Sequence, residues 1–169
     1  MSAVATAQRP NVEELRQKLY ERCGRSPACR RAVDYYIALL QNPCYPPADK
    51  MTYKMRKFYM EIIERYGLPP RCDVKALVTE RLRGTVLEKY ASEAAELADL
   101  VKKQMRITSR VAAVAAVIAV AEAHGVKATR ESIAVHFGAS YAAARMYVSH
   151  AYRIYREIMQ KKNAQAGEP

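Results

Sequence analysis

The stretch RVAAVAAVIAVAEAH, residues 110–124, decides the fold because it is apolar nearly all the way round a helix. A helix without a polar face has to be covered on every side, so we expect it at the centre of a helical bundle. Its longest apolar run, Val111 to Ala121, is about half the length that a helix needs to span a bilayer. The many alanines let neighbouring helices approach closely.

Seven further helices follow from apolar residues at helical spacing and from capping side chains. The central helix has Thr108 as its cap and Gly125 as its stop signal. The other predicted capping residues are Asn11, Ser26, Asp49, Asp73, Thr85, Thr129 and Ser140, and the last helix runs to about Lys162. No segment alternates between apolar and polar residues with a period of two and is bounded by hairpin turns. The sequence therefore predicts an all-α protein.

Composition and stop signals divide the chain into three parts. We expect a basic N-terminal helical arm with proline-rich linkers over residues 1–72, a helical bundle over 73–162, and a tail over 163–169 that has nothing to bury. The first residues lack the apolar run of a secretory signal, and no stretch is long enough to cross a membrane. The expectation is a soluble protein that is not secreted and has no membrane span.

The balance of charge is the most informative functional feature. The chain carries 28 Lys and Arg against 17 Asp and Glu, a net charge of +11. An excess of this size indicates a polyanionic partner, because cations that neutralise phosphates release counterions. A merely solvated surface is the alternative. The candidate DNA-binding residues are Arg9, Arg16, Lys18, Arg22, Arg25, Arg30, Arg31, Lys50, Tyr53, Lys54, Arg56, Lys57 and Arg145.

Nothing in the sequence calls for catalysis. The three histidines, His124, His136 and His150, are scattered, and no nucleophile elbow, zinc-protease motif or phosphate loop is present. His124 and His136 lie at predicted helix ends, where a cation complements the helix dipole. We therefore expect a protein that is not an enzyme and has no cofactor, no metal and no small-molecule substrate.

Four cysteines, Cys23, Cys29, Cys44 and Cys72, lie in the first half of the chain. Their spacing contains no C-x-x-C pair, which argues against a structural zinc site and leaves disulfides or buried thiols. We expect at least one disulfide, either across the short turn between the first two helices or between the two cysteines that flank the third. The chain has only three Asn, and scarce amides are typical of hot environments, where intracellular disulfides occur.

The segment TRESIAVHFGASYAAARMYVSHAYRIYRE, residues 129–157, has the pattern of a helix-turn-helix. Thr129 caps its first helix, Gly138 lies in the turn, and Ser140 begins the second helix. Together with the alanine-rich helix before it, the region 108–158 resembles the last three helices of a cyclin-like repeat of archaeal transcription factor B.

The helix-turn-helix pattern predicts that the last helix enters the major groove of duplex DNA through Tyr141, Ala142 and Arg145. The run Ala142, Ala143, Ala144 departs from the expected pattern, because three alanines suit close helix packing better than the reading of base edges. A purely structural helical corner is therefore the alternative.

A basic helical arm, proline-punctuated links and an alanine-rich bundle together resemble a major capsid protein of filamentous viruses of hyperthermophilic archaea, the rudivirus, lipothrixvirus and tristromavirus group. The matching parts are the hairpin 9–31, the stretch PPADKMTYKMRK at 46–57, and the bundle 74–160. The resemblance implies a structural protein that coats double-stranded DNA independently of sequence and holds it in A-form. Its partners would be further copies of itself or a related capsid subunit, in the virion and the host cytoplasm.

Two functions therefore compete, a DNA-coating capsid protein and a helix-turn-helix transcription regulator or basal factor. A coat subunit predicts basic residues spread over several helices, whereas a regulator predicts a focused basic recognition helix. The net charge of +7 over residues 1–84 and +4 over 85–169 favours the coat. A third possibility is a protein–protein adaptor that uses its alanine-rich helices.

Overall fold

The computed structural model describes residues 11–44, 46 and 50–167, and within them the all-α prediction is confirmed: no strand occurs. A short 3₁₀ helix, Glu88–Tyr90, precedes the fifth α-helix. The α-helices are α1 Val12–Cys23, α2 Pro27–Gln41, α3 Tyr53–Tyr66, α4 Val74–Leu82, α5 Ala91–Met105, α6 Ser109–Ala123, α7 Arg130–His136 and α8 Tyr141–Ala166. None of these described helices combines the length and apolarity needed to cross a membrane.

Most of the predicted helix starts are confirmed by side-chain caps. In each case a side-chain oxygen accepts a hydrogen bond from a backbone N–H of the first turn, a group that has no partner within the helix. At Ser26, for example, the hydroxyl accepts from the Cys29 N–H at 3.2 Å. The helices capped in this way begin after Asn11, Ser26, Asp73, Thr108, Thr129 and Ser140.

The predicted helix start at Thr85 is wrong, because its side chain is used in the preceding turn. The Thr85 hydroxyl donates to the Leu82 carbonyl at 2.7 Å and accepts from the Leu87 N–H at 3.2 Å. Leu87 is buried in the core of its unit, which holds this turn in place. The regular helix α5 therefore begins only at Ala91.

Two further boundaries differ from the prediction. Thr52 caps α3 by accepting a hydrogen bond from the Met55 N–H at 3.2 Å, and the predicted cap Asp49 lies outside the described residues. At the other end of the chain α8 continues to Ala166, so the expected tail over 163–169 is helical as far as that residue. Lys, Gln and Ala favour the helix even without a packing partner.

The chain divides into two compact units, Met1–Arg71 and Cys72–Pro169. In the first unit α1, α2 and α3 surround a core that includes Leu19, Val33 and Ile62. The segment expected to be an arm thus has a hydrophobic core of its own. Amphipathic helices bury such a core by turning their apolar stripes towards one another.

All four cysteines are disulfide-bonded. Cys23 at the end of α1 and Cys29 in the first turn of α2 form a disulfide across the short turn, with their Cα atoms 5.3 Å apart. That separation is ordinary for a disulfide. Cys44 and Cys72 are disulfide-bonded cysteines as well, so no free thiol remains.

Helix α6 lies at the centre of the second unit. Every residue from Ala112 to Ala121 has at most 1% of its surface exposed. The helices α4, α5, α7 and α8 all pack against α6. The apolar faces of α6 are therefore covered by helices of its own unit, and small side chains permit this close packing on all sides.

Candidate nucleic-acid interface

Helices α7 and α8 of the second unit are joined by a short turn, residues 137–140. Gly138 in the turn has φ +66°, a left-handed conformation that glycine adopts without steric cost. Phe137 beside it is completely buried and anchors the turn in the core. Arg110 of α6 donates from Nη1 to the Gly138 carbonyl at 2.9 Å. These contacts hold the turn against α6.

A hydrogen-bond network around Glu122 connects α6, α7 and α8. Arg130 donates from Nε and Nη2 to the two carboxylate oxygens of Glu122, at 2.9 and 2.8 Å, and from Nη1 to the Tyr141 hydroxyl at 2.8 Å. The Tyr152 hydroxyl donates to the same carboxylate at 2.8 Å. The network therefore sets the position and rotation of α8. Tyr141, which the helix-turn-helix pattern places at the DNA, has its hydroxyl in this network.

The network also shifts the pKa values of its members. The bonds from Arg130 lower the pKa of Glu122, and the same carboxylate raises the pKa of Arg130. Burial, followed by the bond to Glu122, raises the pKa of Tyr152 to about 12. Glu122 and Arg130 therefore stay oppositely charged near neutral pH, which strengthens their hydrogen bonds.

The first turns of α8 present two alanines, one arginine and one methionine to solvent. Ala142, Ala143, Arg145 and Met146 are exposed, whereas Ala144 is completely buried. Only one of the three alanines, Ala144, is thus used for packing within the unit. Exposed small side chains leave the helix backbone open to close approach, as a helix that enters the major groove requires.

Two arginines further along α8 were not predicted. Arg153 and Arg156 follow Arg145 by eight and eleven residues, and all three are exposed. Helical spacing places them on one face of α8, and at 1.5 Å per residue the stripe is about 16 Å long. The signal was present in the sequence as basic residues at helical spacing.

The basic residues predicted on α1 do not share one face. Lys18 and Arg22 lie one turn apart on the same side of the helix, whereas Arg16 projects from the opposite side. Arg16 makes an ion pair with Glu13 at 2.8 Å. Arg22 lines a cleft of about 440 Å³ together with Glu61 of α3. Acidic neighbours therefore compensate part of the positive charge of α1.

Arg30 has structural partners in the α1–α2 hairpin. Its Nε and Nη2 donate to the Gly24 carbonyl at 3.3 and 3.2 Å, and its guanidinium lies 5.4 Å from the centre of the Tyr20 ring. The Tyr20 hydroxyl donates to the carboxylate of Asp34, and this hydrogen bond raises the pKa of Tyr20. Arg31, by contrast, is exposed and makes no ion pair with any described residue.

The predicted residues of α3 lie together at its start. Lys50, Lys54, Arg56 and Lys57 are all exposed, and Tyr53 has 86% of its surface exposed. No acidic residue occurs between positions 50 and 60, a stretch that we call the α3 basic segment. This segment is the densest group of predicted DNA-binding residues that the structure brings together.

The remaining predicted residues are distributed elsewhere. Arg9 lies outside the described residues, and Arg25 is exposed in the turn between α1 and α2. Arg145 belongs to the second unit. The predicted set therefore divides into the α1–α2 hairpin, the α3 basic segment and the outer face of α8.

His124 at the end of α6 takes part in a packing cluster. Its Nε2 lies 2.7 Å from a carboxylate oxygen of Glu93 and 3.1 Å from the Tyr155 hydroxyl. The ring stacks on Tyr90, with 3.9 Å between ring centres. Burial is the main cause that raises the pKa of Tyr155 to about 12. Across the described residues, no group of His, Cys, Asp and Glu has the arrangement of a metal site.

Comparison with protein-family models, with curated proteins and with solved structures finds no match to this chain.

Proposed function

We propose that the protein is a non-enzymatic protein that binds duplex DNA, and that α8 docks in the major groove as the second helix of a helix-turn-helix. The observation that carries this proposal is the exposed start of α8, where Ala142, Ala143 and Arg145 face solvent on a corner held by the Glu122 network. A rigid support favours binding because less side-chain and backbone freedom is lost on association. Arginine is also the side chain that pairs most often with guanine in the major groove.

Phosphate contacts supply most of the affinity in this proposal. Arg153 and Arg156 lie on the same face of α8 as Arg145, where they can bind the backbone beside the groove. The exposed cations of the first unit add to this attraction within a chain of net charge +11. Each neutralised phosphate steepens the salt dependence of binding by roughly 0.9 in the log–log slope. A transcription regulator or basal factor is the class that fits this mode of binding.

Titration of fluorescent duplexes across a salt series tests the proposal. The wild-type protein is expected to bind duplex DNA with an affinity that falls steeply with salt. Arg145→Gln is expected to weaken binding about fivefold or more. Lys103→Gln is the control for net charge, because it removes one positive charge from an exposed position on α5, where Lys103 makes a surface ion pair with Asp99.

Two results would count against docking through α8. A folded protein that binds no duplex would refute duplex binding altogether. Equal losses in Arg145→Gln and Lys103→Gln would show that net charge alone governs affinity. Selection from a random pool of duplexes adds a further readout, since a preferred sequence supports a regulator.

A structural coat protein that packages duplex DNA, as in a filamentous archaeal virus, is the second candidate. The spread of charge favours it, since the net charge is +7 over residues 1–84 and +4 over 85–169. Its partners would be A-form DNA and further copies of this chain or a related subunit in the virion. Because α6 is covered by its own unit, assembly would have to use another surface. Mixing the protein with long duplex DNA should then produce filaments that are visible by electron microscopy. The absence of filaments would contradict a coat-protein function.

A further inference from the structure

An exposed aromatic ring lies among cations at the start of α3. Tyr53 has 86% of its surface exposed, the largest exposed fraction of any large apolar side chain in the described part of the chain. Met60, which is 55% exposed, lies two turns later on the same face, with Lys57 between them. The inner face of α3 is formed by Met55 and Ile62, which are buried. The core of the first unit therefore does not use Tyr53.

Other tyrosines of the same unit have partners within the protein. The Tyr20 hydroxyl bonds to a carboxylate of α2, and the Tyr36 hydroxyl donates to the Gly67 carbonyl at 2.9 Å. The rings of Tyr35 and Tyr59 meet edge to face, with 5.4 Å between their centres. These rings and hydroxyls serve the fold. The Tyr53 ring contrasts with them because it is presented to solvent.

The charge around Tyr53 selects an anionic partner. Lys50, Lys54, Arg56 and Lys57 are exposed in the α3 basic segment, and the first acidic residue after them is Glu61. A cationic surface with an exposed aromatic ring is the combination that binds single-stranded nucleic acid, since cations follow the phosphates while bases stack on the ring. In a duplex the bases are already stacked on one another, so the ring has no base face to contact.

We propose that the α3 basic segment is a binding site for single-stranded nucleic acid, at which the ring of Tyr53 stacks on an unpaired base. Its cations hold the phosphates on either side of that base. This site lies in the first unit and is additional to the duplex docking proposed for α8 in the second unit.

Fluorescence anisotropy of the full-length chain with a labelled oligo-dT of about 12 nucleotides measures this binding. Tyr53→Ala is expected to weaken oligo-dT binding about fivefold or more. Tyr53→Phe keeps the ring and is expected to bind within about twofold of the wild type. Lys57→Gln is expected to reduce the slope of the log binding constant against the log salt concentration by about 0.7. Duplex binding of Tyr53→Ala is measured alongside, because stacking on an unpaired base predicts a larger loss for oligo-dT than for duplex. Circular dichroism checks that each variant is folded.

Each outcome separates this site from the proposed duplex function. Equal losses in Tyr53→Ala and Tyr53→Phe would show that the hydroxyl, rather than stacking, binds the strand, and would overturn the proposal. So would wild-type protein that binds duplex but not oligo-dT, or Tyr53→Ala that binds oligo-dT normally. Protein that binds oligo-dT through Tyr53 but no duplex would support this site and contradict docking through α8.

Discussion

Replacing Glu122 with Gln removes the negative charge at the centre of the network that holds α8. The carboxylate accepts three hydrogen bonds, two from Arg130 and one from Tyr152. Gln keeps the size of the side chain but replaces one oxygen by an NH₂ group that cannot accept a bond. At least one bond from Arg130 is therefore lost, and the remaining bonds lose their charge assistance.

Two opposing features set the size of the effect. Charge-assisted hydrogen bonds are stronger than neutral ones, and the pair is bidentate. Solvent weakens it, because the side chains of Arg130 and Glu122 remain 38% and 33% exposed. We therefore expect Glu122→Gln to lower the free energy of unfolding of the second unit by about 1 kcal/mol. For a domain of about 100 residues this lowers the melting temperature by roughly 4 to 8 °C.

The pH dependence identifies the ionised carboxylate as the cause. The folded-state pKa of Glu122 lies below its ordinary value because Arg130, and then Tyr152, bond to the charged form. A depressed pKa stabilises the fold fully above the ordinary glutamate value, and the stabilisation is lost as the pH falls through the folded-state value. The difference in melting temperature between wild type and Glu122→Gln should thus be complete near neutral pH and vanish under acidic conditions.

Thermal unfolding followed by circular dichroism measures this difference at each pH. Glu157→Gln is the matched control, because Glu157 is an exposed glutamate of α8 that makes no ion pair with the described residues. It should change the melting temperature little at any pH. Equal stability of Glu122→Gln and wild type near neutral pH, or a difference that persists in acid, would refute the reasoning.

Three further changes test the core, the charge and the disulfide. Ala116→Phe is expected to lower the free energy of unfolding by about 1 to 3 kcal/mol, because Ala116 is fully buried and a ring must displace its neighbours. An unchanged denaturant unfolding curve would contradict the close packing. Arg31→Gln should weaken binding to unrelated duplexes equally and flatten the salt slope by about 0.9, whereas an unchanged slope would exclude a phosphate contact there. Replacing both Cys23 and Cys29 with Ser should lower the free energy of unfolding by about 2 kcal/mol, measured by chemical denaturation, because the disulfide closes a loop in the unfolded chain.

Helix starts were largely predictable because a capping side chain acts within three residues of itself. Ser26 and Pro27 specify the start of α2 through one hydroxyl acceptor and one preset backbone angle. Thr85 carries the same kind of capping hydroxyl as Ser26, yet the helix that follows it, α5, begins only at Ala91. The difference arises because burial of Leu87 holds the intervening turn, and burial depends on residues distant in the sequence.

The network around Glu122 could not be predicted by the same means. Tyr152 lies 30 residues from Glu122 in the chain, and their contact depends on the rotation of α8 about its axis. The sequence alone also does not show which cations of the first unit are free of partners. The sequence counts Arg16 and Arg30 as free cations, but an ion pair with Glu13 and bonds to the Gly24 carbonyl occupy them.

Alanine has opposite roles in α6 and α8, and the difference bears directly on function. Ala113 and Ala116 are completely buried because helices pack against every side of α6. Ala142 and Ala143 are exposed because α8 turns only Ala144 towards the core at this level. A small exposed side chain adds nothing to the core, but it lets another surface approach the helix backbone closely. The burial pattern therefore makes α6 the support of its unit, and it fits the proposal that the first turns of α8 are the docking surface.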